Sequence, residues 1–211
     1  MFIKASSFKR MIKQAAGSGQ GLHVKNDGEA IWLTAPRWKI WIPKYKIPNQ
    51  QLGDLIALCG WLPEEGESVE IHKSGDQQTE MFETISESAL THYKRADTLF
   101  CVTRHIVYDN GWVRILQARD YMESKPICID EDLFGVINKG EIDTGGGESL
   151  PMGPMVNLEN IYEDGISWRN SDMVLTLFPH LLNVMGPEVE YMNLRRMIRW
   201  DEEKINHTEE D

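Results

Sequence analysis

Long apolar runs are missing from this sequence. Nowhere do the roughly 18 consecutive hydrophobic residues of a membrane-spanning helix stand together, so no membrane partner is expected. The opening Met1-Phe2-Ile3-Lys4 has no charged stretch followed by an apolar run and a cleavage site, and a cytoplasmic chain is the expectation. Cysteine is scarce: Cys59, Cys101 and Cys128 are scattered and form no CxxC pair, which excludes a disulfide framework and a zinc knuckle and leaves buried free thiols. Positive charge is in short supply, with 22 Lys and Arg against 33 Asp and Glu and a net charge of -11. A protein that simply coats nucleic acid needs cations to displace counterions, so any DNA contact must come from a locally basic surface on an acidic body. Catalytic motifs are lacking too. The six histidines show no HExxH or other ligand spacing, and no serine sits in a G-x-S-x-G elbow. The Gly145-Gly146-Gly147 run is not followed by the Lys and Ser or Thr of a phosphate loop and reads as a flexible loop. Neither an enzyme nor a bound cofactor or metal is expected.

What remains is ordinary globular material: 211 residues, 41% of them hydrophobic, enough for one large or two small domains. Ser6 or Ser7 is a suitable N-cap for a helix running to about Ala16. In that helix Phe8, Met11, Ile12 and Ala15 share one side, and Lys9, Arg10 and Lys13 the other. Residues 22–24 and 30–42 read as strands around an Asn26-Asp27-Gly28 turn, the second run broken at Pro36. Trp32, Trp38 and Trp41 lie in this strand-rich run, which favours packing over base stacking. A second helix spans 50–59, and a strand 68–72 follows.

The same order returns about 82 residues further on, an internal repeat. It has a helix over 86–96, a strand over 99–108, an Asp109-Asn110-Gly111 turn, a strand over 112–117 and a helix over 130–138. Residues 141–154 form a Gly- and Pro-rich loop. Strands follow over 155–162 and 166–178 around an Asp164-Gly165 turn. The fold class is α+β: two repeated units, 1–84 and 85–186, each with two helices packed on a curved antiparallel sheet. Residues 187–211 add a C-terminal helix and a free acidic tail.

Three stretches of the first unit, MFIKASSFKRMIKQA, NDGEAIWLTAPRWKIWIP and IPNQQLGDLIALCGWLPEEGESVEI, resemble the first domain of the bacterial DNA sliding clamp, the polymerase III beta-subunit type of processivity factor. In the second unit VYDNGWVRIL, CIDEDLFGVI and FPHLLNVM are similar to that family's middle domain. The chain departs from the family in having no third domain and in lacking the Thr-Asp-Gly-His-Arg segment at Ala118 to Tyr121. Two clamp-type domains resemble the phage form, in which three chains close a ring. The resemblance implies a DNA-clamp-like fold that rings double-stranded DNA without reading its sequence and tethers a DNA polymerase, as a homotrimer. It implies a DNA-facing lining made by the helices, hence Lys9, Arg10, Lys13, Lys94 and Arg95. It also places Pro179 and Val184 where the family's partner-binding groove lies. The edges that pair between chains are expected at 68–72 and 99–108.

One alternative comes from a different class. An acidic body of 24.3 kDa without catalytic residues also suits an interaction protein of phage origin, such as an anti-defence inhibitor that imitates DNA charge.

Overall fold

Period-two alternation of large apolar residues builds one face of a long antiparallel sheet. A computed structural model describes residues 2–73, 77–81, 93, 95–118, 126–138 and 153–181, with the backbone of 202–203. The chain runs α1 (Ala5–Ala16), β1 (Leu22–Asn26), β2 (Ala30–Ala35), β3 (Trp38–Pro43), a 3-10 turn (Lys44–Lys46), α2 (Asn49–Cys59), β4 (Glu67–Ile71) and β5 (Gln77–Met81). It continues with β6 (Thr98–Tyr108), β7 (Trp112–Ala118), β8 (Ile127–Asp130), α3 (Glu131–Phe134), β9 (Met155–Val156), α4 (Ile161–Asp164), β10 (Ile166–Arg169), β11 (Val174–Leu177) and β12 (Glu202–Glu203). The strands form a single sheet in the order β5-β4-β1-β2-β3-β11-β10-β9-β6-β7-β8, with β12 paired to β6. This is a mostly antiparallel α+β arrangement.

Leu22, Val24, Ile31, Leu33, Ile40, Ile42, Val69 and Ile71 point to one side and meet Phe8, Met11 and Ile12 of α1 and Leu55 of α2. Each large apolar side chain so buried contributes about 1.5–3 kcal/mol. The same cluster continues through Phe100, Val102, Leu116, Ile129, Ile166, Trp168 and Leu175, so one core draws on both halves of the sequence. α1 and α2 lie side by side over its first half.

Several expectations are corrected. α1 begins at Ala5 with Lys4 as its N-cap residue, and neither Ser6 nor Ser7 caps it. The reason is tertiary: Ile3 bridges Ile137, Lys4 N–H donates to Val136 O at 3.3 Å and Asn138 N–H to Phe2 O at 2.7 Å, so the chain is extended up to Lys4 and coils immediately after. The same pairing shortens the helix expected over 130–138 to the single turn Glu131–Phe134, because the β-branched Val136 and Ile137 are drawn into a strand contact. Residues 155–162 hold only the two-residue β9 before the helical turn α4, and 166–178 splits at Asn170, whose Oδ1 accepts from the N–H groups of Asp172 and Met173.

The expected edges are also wrong. The strand at 68–72 lies inside the sheet as β4, between β1 and β5, and that at 99–108 as β6, between β9 and β7; the ends of the path are β5 and β8. The tail is not wholly free either, since Glu202 and Glu203 pair with Thr103 and Val102 of β6. Gly145 to Gly147 and most of residues 86–96 lie outside the described residues.

Candidate nucleic-acid interface

α1 is amphipathic because its apolar residues recur at three- and four-residue spacing, which leaves the opposite side for Lys9, Arg10 and Lys13. All three are exposed. Lys9 Nζ sits 2.7 Å from Asp54 Oδ1 on α2, and the Asp54 side chain is only 12% exposed. This pair ties the two helices together and takes Lys9 largely out of use for an outside anion. Arg10 and Lys13 have no ion-pair or hydrogen-bond partner among the described residues. The solvent side of α2 is Gln50, Gly53, Ile56 and Ala57, none of them charged. Together α1 and α2 carry three cations and a single carboxylate, in a chain whose net charge is -11. Gln51 is buried and its Nε2 donates to Ile3 O at 3.2 Å, which fixes α2 against the N-terminal strand contact.

Of the other proposed cations, Arg95 is among the described residues. Tyr93 is helical and buried with Ala30, Trp41, Met155 and Val174. In β3, Trp41 alternates with Ile40 and Ile42, which belong to the core under α1, so this cluster lies on the opposite face of the sheet. The Arg169 guanidinium stacks over the Tyr93 ring at 5.4 Å. Arg95, two residues on, is exposed. Lys94 lies outside the described residues.

Pro179 is half-buried in a stitch that closes the second half of the sheet against the first: Phe178 N–H donates to Arg37 O at 3.0 Å and His180 N–H to Cys128 O at 2.7 Å. Around it Arg37 Nη2 donates to His180 Nδ1 (2.7 Å) and contacts Asp130 Oδ2 (2.5 Å). An acceptor Nδ1 puts the imidazole proton on Nε2, which faces Asp109 Oδ2 at 3.2 Å. Val184 lies outside the described residues. A groove of about 560 Å³ runs beside the stitch, lined by Ala15, Pro36, Trp38, Trp112, Leu133 and His180 rather than by Pro179. Trp112, 60% exposed, stands at this groove and meets Tyr108 edge-on with centroids 5.3 Å apart. Sequence reasoning missed the groove because its walls come from five separate stretches of chain.

Trp38 and Trp41 are buried in sheet packing, as expected, and Trp32 donates its indole N–H to Asp27 Oδ2. All three cysteines are buried and none is in a disulfide; burial pushes the Cys59 thiol up to about 11, so it stays protonated and unreactive near neutral pH.

No family model matches the chain, and no curated protein sequence matches it. Among solved structures it is similar to the DNA polymerase III beta chain of Streptococcus pneumoniae TIGR4, at 10% identity over 94% of this chain and 67% of that one, with a TM-score of 0.30. Among the described residues no helix is long and apolar enough to cross a membrane.

Proposed function

We propose that the chain is a non-enzymatic processivity factor of the sliding-clamp type, which encloses duplex DNA and holds a DNA polymerase on it. The observation that carries this reading is the charge of the α1/α2 surface. A body with net charge -11 has spared two adjacent helices from acidic residues, except for the one carboxylate that Lys9 neutralises. Topological retention needs no base readout, only a modestly positive lining that tolerates phosphate, and Arg10 and Lys13 supply it. The division into units 1–84 and 85–186, followed by the segment 187–211, belongs to the same reading. So does a homotrimeric ring closed head to tail through β5, whose residues are all exposed, and the β8 side of a neighbour.

The test is retention on nicked circular DNA at low salt, with the chain loaded by its cognate polymerase machinery. Arg10→Glu/Lys13→Glu is expected to reduce retention at least about tenfold, on the scale of two lost phosphate contacts, and to keep the wild-type melting temperature. Lys9 is left in place because its removal would disturb Asp54. Unchanged retention overturns the lining. A solution mass of one chain at micromolar concentration overturns the ring and favours the acidic interaction protein instead.

A further inference from the structure

On the sheet face away from α1 and α2, a cavity of about 140 Å³ opens between β2, β3 and β11 on one side and α4 on the other. Register brings its walls together. Trp32 of β2 stands directly across from Trp41 of β3, Trp41 across from Val174 of β11, and Lys39 across from Thr176. Trp32 is fixed by its indole N–H, which donates to Asp27 Oδ2, and Trp41 is buried. The opposite wall is acidic. Glu163 and Asp164 end α4, and Gly165 lets that turn sit tight against β11: a Cβ there, at a φ of +71°, would stand 2.5 Å from Thr176 Cγ2 and 2.9 Å from Leu177 O.

We infer that this cavity binds the head of an organic ammonium ion, held between the two indoles and the two carboxylates. Three observations select that chemistry. The indole face is the best aromatic partner for a cation, and cages of such rings recognise quaternary ammonium heads. Charge agrees: the Glu163 side chain has no hydrogen-bond or ion-pair partner among the described residues, and Asp164 is held in place by Asn157, whose Nδ2 donates to Asp164 Oδ2 at 2.9 Å. Lys39, the cation in the wall, is engaged with Phe178, its Nζ lying 5.0 Å from the ring centroid. Size sets the limit. Drug-sized sites take about 300–1,000 Å³, and this smaller one admits a compact head such as trimethylammonium or the end of a lysine side chain. Such a head comes from a free amine or from a basic side chain of a partner protein, and both use the same walls.

The site goes beyond the clamp reading and does not depend on it, since it lies on the sheet face away from α1 and its cations. Its walls come from four separate stretches of chain, β2, β3, α4 and β11, so no linear motif announces it.

Choline chloride titrated into the whole chain, followed through the indole N–H resonances of Trp32 and Trp41, tests the inference. The expected result is saturable one-to-one binding in the millimolar range. The neutral analogue of choline, with carbon in place of nitrogen, keeps the shape and loses the charge, and should bind at least about threefold more weakly. Glu163→Gln, at an exposed position where folding is not at stake, should weaken choline binding about two- to fivefold. Trp32→Leu, followed through Trp41, should weaken it about two- to thirtyfold, the span of a cation–π contact from exposed to desolvated. Lys39→Gln should strengthen binding, because it removes the opposing charge. A trimethyl-lysine peptide that binds more tightly than choline assigns the head to a protein partner, and the reverse order to a free amine. No saturation, an equal response to the neutral analogue, or unchanged affinity in both Glu163→Gln and Trp32→Leu each overturns the site.

Discussion

α2 and α3 follow similar punctuation in the sequence, and they came out differently. Each follows a strand through an Ile-containing lead, Ile47-Pro48 before α2 and Ile129-Asp130 before α3. α2 continues for 11 residues, packs beside α1 and ends at Gly60, whose φ of +83° suits glycine. α3 stops after four residues, and the chain turns at Gly135 to reach the N-terminal strand contact at Ile3. α3 is instead held from the side. Arg114 makes a two-pronged contact with Glu131 (2.6 and 2.7 Å), donates to Thr103 O at 2.9 Å and stacks over Phe134 at 5.0 Å. Matching punctuation in a sequence therefore specifies matching turns, while helix length is decided by what the following residues pair with.

If the two halves were independent bodies, damage to one would leave the other folded. Trp168 is the strongest place to break that comparison: it is fully buried in the shared core and packs on Phe134 with ring centroids 6.2 Å apart. Trp168→Ala is expected to cost about 3–5 kcal/mol. Denaturant unfolding followed by circular dichroism and by tryptophan emission should then show one coincident transition, shifted as a whole. Two separated transitions would mean that the core does not couple the halves. Trp168→Phe should cost clearly less, since the indole N–H has no acceptor among the described residues and its loss leaves nothing unpaired.

A smaller effect sharpens the contrast within α1. Lys9 neutralises a mostly buried carboxylate, whereas Arg10 and Lys13 face solvent. Lys9→Ala should lower stability by about 1 kcal/mol, from the loss of the pair and the stranding of Asp54. Arg10→Ala and Lys13→Ala should stay within about 0.5 kcal/mol. Measured by chemical denaturation, equal costs at all three positions would show that the Lys9–Asp54 contact contributes nothing. In a DNA-retention assay the ranking should reverse, with Arg10 and Lys13 mattering more than Lys9.

The sequence made the strands and hairpins plain wherever alternation and turn chemistry coincide. Asn26-Asp27-Gly28 and Asp109-Asn110-Gly111 do form the turns, with Gly28 at φ +92° and Asn110 at φ +54°. The amphipathic side of α1 was equally legible, because Phe8, Met11, Ile12 and Ala15 are all buried. Long-range pairing was not. Nothing local says that β3 joins β11, that Ile137 meets Ile3, or that Glu202 and Glu203 add to β6. Sheet edges and the lengths of α3 and β9 depend on those pairings, and so does the face on which Tyr93 packs. The basic side of α1 could be read from spacing alone, but that Asp54 would engage Lys9 and leave Arg10 and Lys13 could not.

The smallest expected effect concerns the link between the halves made by Lys46, after β3, and Asp172, in the β10–β11 turn. Lys46 Nζ donates to Asp172 Oδ1 at 2.9 Å. That hydrogen bond holds the Asp172 carboxyl below its usual range and the Lys46 ammonium above its own. The depressed carboxyl contributes stability that is present above its unfolded value, about 3.9, and is lost as the pH falls through the lower folded value. The raised amine contributes below its unfolded value, about 10.4, and its share disappears only as the pH rises through the higher folded value. Between those limits the contribution is flat. Both groups are substantially exposed, so solvent and salt screen the pair and the effect at neutral pH is slight. Asp172→Asn should therefore melt slightly below wild type at pH 7 and low salt. The gap should stay constant from pH 5 to 9, close in high salt, and vanish in acid once Asp172 is protonated in the folded wild type. Thermal melts of the two proteins across that range decide it: a gap that persists in acid, where the pair no longer exists, would assign the difference to the Ser171 and turn contacts of Asp172 rather than to its link with Lys46.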